Sequence, residues 1–373
     1  EAGGGALQDW LRDFLPQVER VALREHRLLL RTVGGEQLLR VDLGLERAGN
    51  ARLLQARVAA EGLQVALRAD GVGNPLRPLS WAGDVYMEFR GDDLRRLRPL
   101  WEGLDWPFRA SGAASAQFWL RRSGGDSRAQ LRVRGGAVHI EERDGAWDLP
   151  LDALSFAAAL EQRGDRWSLR ADELHAERAG SALDLARAQF DWRRRALRVR
   201  AEDLHLDSLP TLLASAPGLP PALREALPAL APSGRLRAVE LRFDDLAAPA
   251  DTWSLRGGLD GLAVKSWRGA PALRGVSGFL ELGPGGGQLR LDSGAFSMHF
   301  PTVYRDPLAY DSAQGDIALD WDADGLRLRS GLLTVSGPEG RGRGRFALDI
   351  PFDPWVNRVD MDLVVSLDDF TLD

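Results

Sequence analysis

The chain has 373 residues, 44% hydrophobic and 27% charged, with 54 acids against 48 bases and a formal net charge of −6. That is enough for a large core or for two or three domains, and it lacks the basic excess of a nucleic-acid binder. There is no cysteine, so thiolate nucleophiles, zinc–thiolate centres, iron–sulfur clusters and disulfides are excluded.

The absence of cysteine fits an oxidising compartment. No run of about 18 apolar residues occurs, so no helix is expected to span a membrane. The chain opens EAGGGALQDW, without an initiator Met or a signal peptide, and reads as an excerpt or a processed product of something longer. Leu7, Trp10, Leu11, Phe14 and Leu15 recur at three-and-four spacing, which predicts a short amphipathic helix.

From there period-two alternation dominates. AQLRVRG places Leu131 and Val133 on one face and Arg132 and Arg134 on the other. In FDWRRRALRV a tight turn joins Phe190 and Trp192 to Leu197 and Val199. Residues 207–234, DSLPTLLASAPGLPPALREALPALAPSG, suit two short helices broken by prolines, with Asp207 or Ser208 as a cap and Pro210 in the first turn. Leu209, Leu212, Leu213, Leu223, Leu227 and Leu230 would pack onto a sheet and shield an edge or rim.

The C-terminal third continues the alternation. Ile317, Leu319 and Trp321, then Leu326 and Leu328, then Phe346, Leu348 and Ile350, and finally Val359, Met361, Leu363, Val365 and Leu367 each mark one face of a strand. Antiparallel sheets tolerate strands with one apolar and one polar face. A loose repeat also appears. EFRGDDLRRLRPLW and RVRAEDLHLDSLPTLL both follow a strand with an Asp-Leu step, a Leu- and Pro-containing link, a Ser-Gly and a new strand. The predicted organisation is an N-terminal β segment with its leading helix (1–110), a β meander (111–206), a helical cap (207–234) and a C-terminal meander (235–373), all on one continuous sheet.

No motif nominates an active site. DWDADG (320–325) begins like a calcium loop, but the twelfth position, which needs a bidentate acid, is Gly331, and a hairpin turn reads better. GPGGGQLRL has the glycines of a phosphate loop without their spacing or the following helix. GRGRGR (340–345) runs straight into the strand RFALDI, so its arginines read as a solvent face rather than an RNA tract. His26, His139, His175, His205 and His299 show no metal-ligand spacing, and there is no G-x-S-x-G elbow. The stretch 294–321 gathers His299, Tyr304, Asp306 and Asp311, yet it reads as two strands around a Pro301–Pro307 link, its aromatics covering apolar surface. No enzyme, cofactor, metal or nucleic-acid partner is expected.

A set of ordered residues does carry a resemblance. Leu259, Gly261, Leu262, Val264, Lys265 and Trp267 form L-x-G-L-x-V-K-x-W. Val276, Gly278 and Leu280 follow as V-x-G-x-L, then Phe300-Pro301, and Pro307 to Trp321 read P-L-x-x-D-x-x-x-G-x-I-x-x-x-W. This resembles the YhdP-type members of the AsmA-like superfamily, large envelope proteins of Gram-negative bacteria. The resemblance implies a mainly β fold: a long, curved antiparallel sheet folded like a taco around an apolar groove, with a few short capping helices. It further implies a periplasmic segment of a monomeric bridge, anchored in the inner membrane by a helix absent from this chain, that moves phospholipid between inner and outer membranes. The alternative is an envelope assembly scaffold that binds protein through sheet edges.

The residues alone bear on one point. Helices are too few to cover so many half-apolar strands, so either a second sheet covers them or the strands leave an open groove. About twenty strands at 4.8 Å spacing would extend roughly 100 Å. The residues expected to line the groove are Leu289, Leu291, Ile317, Leu319, Leu326, Leu328, Phe346, Leu348, Met361 and Leu363.

Overall fold

Alternation of Leu, Val and Ala with Arg, Asp and Glu is realised as strands throughout. The computed structural model describes residues 19–32, 35–73, 81–97, 108–142, 148–213, 221–268, 270–301, 305–338, 340–352 and 360–368. The predicted helix at Leu7–Leu15 lies outside them. The protein is mainly β and antiparallel, with few and short helices. It divides into two compact units, Glu1–Gly180 and Ser181–Asp373.

The first unit is a meander of β1 (Arg20–Thr32), β2 (Gly35–Ala48), β3 (Ala51–Ala60), β4 (Leu63–Val72), β5 (Ala82–Gly91), β6 (Phe108–Ser123), β7 (Asp126–Glu142), β8 (Asp148–Arg163) and β9 (Arg166–Arg178). Each strand pairs antiparallel with the next. Two-residue turns close several of these hairpins, and Gly49, Gly62, Gly124 and Gly164 supply the positive φ that such turns need. Between β5 and β6 a 3₁₀ turn, Leu94–Leu97, folds back on the sheet and buries Leu94 against Leu63. This is where the first copy of the sequence repeat predicts a helical link.

The second unit contains β10 (Ser181–Arg193), β11 (Ala196–His205), β12 (Ser233–Phe243), β13 (Trp253–Val264), β14 (Ala272–Gly283) and β15 (Gly286–Ser293) in hairpin order. It continues through β18 (Ser312–Trp321), β19 (Gly325–Ser330), β21 (Gly340–Pro351) and β22 (Asp360–Asp368). Two of its strands are broken. β14 pairs with β15 over one half and with β16 (Phe296–His299) over the other. β18 likewise pairs with β19 and then with β20 (Leu333–Gly337). Of the first strand read in 294–321, the structure forms Phe296–His299. A short β17 (Leu308–Tyr310) pairs with β16 beyond the proline link.

Bulges bend several strands. The ladders slip at Leu23/His26, Ser111/Ala113, Ser155/Ala157 and Arg237/Glu240. Beside these slips Glu25, Ala137, Glu173 and Ala238 take φ between 49° and 55°. Opposite Ala137, Gly112 has φ +94°, and a Cβ there would lie 2.0 Å from the Ala137 carbonyl oxygen, so only glycine fits.

The proline-broken segment does form helices, α1 (Leu209–Leu213) and α2 (Pro221–Leu230). Pro221 opens α2, where a missing N–H costs nothing. Leu212 is buried, and α1 packs on β10 and against α2. The expected side-chain cap is not what the flanking residues do. The Ser208 hydroxyl donates to the Ala182 carbonyl, and the Asp207 carboxylate accepts from the Gly234 N–H at 3.4 Å. These two side chains tie the cap to β10 and β12 instead.

Candidate functional site

Directly opposed residues in an antiparallel ladder project to the same face, so register decides which side chains share a surface. Leu289 faces Ile317, Leu319 faces Leu328, Leu328 faces Leu348, Leu348 faces Met361 and Phe346 faces Leu363. Leu291 and Leu326 lie two residues from Leu289 and Leu328. All ten predicted residues thus stand on one face of the second unit. Sequence reasoning did not reach the continuation of this face. Leu289 also faces Leu280, Leu282 faces Leu255, Leu255 faces Leu241, and Val199 bridges Leu241 to Phe190.

The opposite face is charged and carries several internal pairs. Arg200 reaches Asp191 at 2.8 Å, Arg256 reaches Glu240 at 3.0 Å, and Gln314 donates to Asp292 at 3.0 Å. These groups are solvent-accessible, so each pair is worth only a few tenths of a kcal/mol to about 1 kcal/mol. Their consequence is solubility of one face while the other stays apolar.

Cover over the apolar face is uneven. Leu259, Val276, Leu291 and Ala313 form a closed cluster, flanked by Leu236, Leu262, Leu280 and Phe296. Leu348 is also buried. Leu289, Ile317, Leu319, Leu326, Leu328 and Phe346 are half-buried. On β22, Met361 is 43% exposed and Leu363 54%. Two of the ten residues, Leu291 and Leu348, are therefore packed by neighbours, and the others present surface.

One rim of this face is aromatic, a feature the sequence reading passed over. Trp192 faces Leu197, Leu197 faces Phe243, and Phe243 faces Trp253. Trp253 stacks on Trp321 with ring centroids 6.3 Å apart. The Trp321 backbone N–H donates to the Gly285 carbonyl at 3.0 Å, so the glycine tract taken up as a possible phosphate loop is the β14–β15 turn beside Trp321. The signal for this rim was an aromatic residue at or beside a strand end: Trp192, Phe243, Trp253 and Trp321.

The motif residues hold the cap rather than a ligand. The Lys265 N–H donates to the Leu230 carbonyl at 2.8 Å. Arg268 lies over Trp267 (4.6 Å to the ring centroid), pairs with Glu225 of α2 at 2.8 Å and donates to the Phe352 carbonyl at 3.2 Å. In DWDADG, Asp322 Oδ1 accepts from the N–H groups of Asp324 (2.9 Å) and Gly325 (3.1 Å). Those two backbone bonds, with the Arg327 guanidinium, hold its carboxyl below the usual range. The loop is a turn, as the missing acid at Gly331 indicates. Among the described residues no group of three or more His, Asp or Glu is placed to hold a metal ion, and no helix is long and apolar enough to cross a membrane.

Comparison with known proteins places the chain among relatives. A stretch of 164 residues, 43% of the chain, is 29% identical to the intermembrane phospholipid transporter YhdP of Escherichia coli (strain K12) and covers 13% of that protein's length. The family model described as YhdP protein matches residues 1–370, and the chain belongs to the YhdP family.

Proposed function

We propose that this chain is a periplasmic segment of a phospholipid-carrying bridge, a non-enzymatic carrier whose apolar sheet face receives acyl chains between the inner and outer membranes. The observation that carries this reading is the shared face of Leu289, Ile317, Leu319, Leu328 and their neighbours, apolar across successive strands and opposed by a charged face. The name of the E. coli relative points to the same cargo. Each methylene moved from water onto such a surface gains about 0.8 kcal/mol, so a partly covered run of Leu and Ile can hold a chain without a specific pocket. The rim of Trp192, Phe243, Trp253 and Trp321 suits the border between acyl chain and polar headgroup, because an indole has an apolar body and a polar N–H.

The purified chain should carry phospholipid detectable by extraction and mass spectrometry. Leu319→Asp should keep a cooperative thermal transition and lose that lipid, because Leu319 is only half-buried. A variant that fails to fold, or that retains its lipid, sinks the groove.

A second reading rests on β22, where Met361, Leu363, Val364 and Val365 are all more than 40% exposed, Val364 at 71%. A strand apolar on both faces suits protein docking through a sheet edge. Lipid-free protein that captures a peptide on β22 would favour it.

A further inference from the structure

We infer that the charged face of the first unit holds a binding site for a phosphate-bearing anion, built from Arg27, Arg40 and Arg57. A hollow of about 770 Å³ lies over β1–β5, and these three side chains line it. Ala59, Gln64 and Ala66, which also line it, occupy register positions between the arginines of β1–β3 and Glu88 and Arg90 of β5. Two alanines among long charged neighbours leave the space.

Three arginines of the hollow lie close together on the ladder. Arg27 stands directly opposite Arg40, and Arg57 is on the next strand, diagonal to Arg40. Like charges directly opposed in a ladder repel unless each has an acceptor. At two other opposed pairs the chain supplies one, whereas Arg166, opposite Arg163, has none among the described residues. Arg121 and Arg128 are opposed, and they reach Asp84 at 2.6 Å and Glu161 at 3.8 Å. Arg47 and Arg52 are opposed, and they donate to the carbonyls of Gly49 (2.9 Å) and Gly73 (2.7 Å). Among the described residues Arg27, Arg40 and Arg57 have neither a hydrogen bond nor an ion pair.

The carboxylates that share the hollow do not fill this role. Asp42 is the register partner of Arg57, but its Oδ1 accepts the Glu25 N–H at 2.7 Å, at the β1 bulge. Glu88 accepts from Arg90 at 2.9 Å and from the Tyr86 hydroxyl at 3.2 Å. The lining as a whole carries Arg27, Arg40, Arg57 and Arg90 against Glu25, Asp42 and Glu88, and among the described residues Arg27, Arg40 and Arg57 form no ion pair with these carboxylates. The fork geometry of guanidinium matches phosphate oxygens two at a time, and three such groups around one hollow fit a phosphate monoester or diester. A lipid headgroup and free phosphate share this chemistry. The site lies in the other unit from the apolar face described above and does not rest on the lipid reading.

The test is calorimetric titration of the full chain with inorganic phosphate and, separately, with glycerophosphoglycerol, a headgroup without acyl chains, at fixed ionic strength. Arg40→Gln with Arg57→Gln should weaken binding at least about tenfold, the size expected when charge-assisted bonds are lost. The charge-matched control, Arg329→Gln with Arg345→Gln in the second unit, should leave it unchanged. Tighter binding of the diester than of phosphate assigns the site to a headgroup, and the reverse order assigns it to free phosphate. The proposal is overturned if neither probe saturates, or if variant and control weaken binding alike.

Discussion

The cluster around Val276 and the strand β22 carry the same alternating pattern and stand on the same face, yet one is closed and the other open. Val276 is 2% exposed and Leu291 5%, whereas Leu363 is 54% exposed. Two features separate them. Around Val276 the strands break and branch, and Phe296 of β16 and Val335 of β20 pack against the cluster. On β22 the described residues pair with β21 alone. Period-two alternation therefore specifies a face, and the irregular pieces of the sheet decide whether that face is covered.

The comparison can be broken most directly by charge. Leu291→Asp should destabilise the chain by about 3–5 kcal/mol or prevent folding, since it buries an unpaired carboxylate in the closed cluster. Denaturant unfolding measures this, and a folded variant of near-normal stability would mean the cluster is not a core. Backbone fit comes next. Gly278 has φ +149°, and a Cβ would sit 1.9 Å from the Arg290 carbonyl oxygen. Gly278→Ala should cost roughly 1–3 kcal/mol, lowering the melting temperature without changing the strand content seen by circular dichroism.

On the open strand the response should be small. Leu363→Ser should change stability by less than about 1 kcal/mol. A loss as large as that of Leu291→Asp would show that β22 is covered in solution. The smallest effect concerns pH. The Asp322 carboxyl is held below its ordinary value by the Asp324 and Gly325 amides, so its contribution is present above the ordinary carboxylate pKa and is lost as pH falls through the lower folded value. Asp322→Asn keeps an acceptor for the turn and should flatten that part of the acid-stability profile, with little change at neutral pH.

Much of the fold was legible because its strands are amphipathic and its turns carry glycine. The helices over 207–234 were legible because Pro210, Pro221 and Pro228 interrupt an otherwise helical run of leucines. The bulges were not: Glu25, Ala137, Glu173 and Ala238 sit in the left-handed region without a glycine to announce them. The cap was misassigned because Asp207 and Ser208 are good capping residues locally, and only the folded chain brings Gly234 and Ala182 within their reach. For the apolar face, alternation was enough to place Leu289 to Leu363 together. It carried no information on Leu291 and Leu348 being covered, which depends on strands distant in sequence. The arginine hollow was invisible for a similar reason, since Arg27, Arg40 and Arg57 meet only through the registers of three strands.

In the second unit, the connections β10–β11, β14–β15 and β18–β19 are turns of two or three residues at one end of the strands. The other end carries α1, α2 and the loop 265–271. Such a sheet has a natural increment. Adding or deleting one strand would reverse the direction of all that follow and exchange the two ends, moving the Trp253–Trp321 rim away from its turns. Adding or deleting a hairpin leaves both ends and the apolar face in place. Chains of this design can therefore lengthen in steps of two strands, each step adding its own stretch of apolar surface, in the quasi-one-dimensional manner of repeat proteins. Reach would then be a matter of counting hairpins, and relatives of very different length could keep one cross-section.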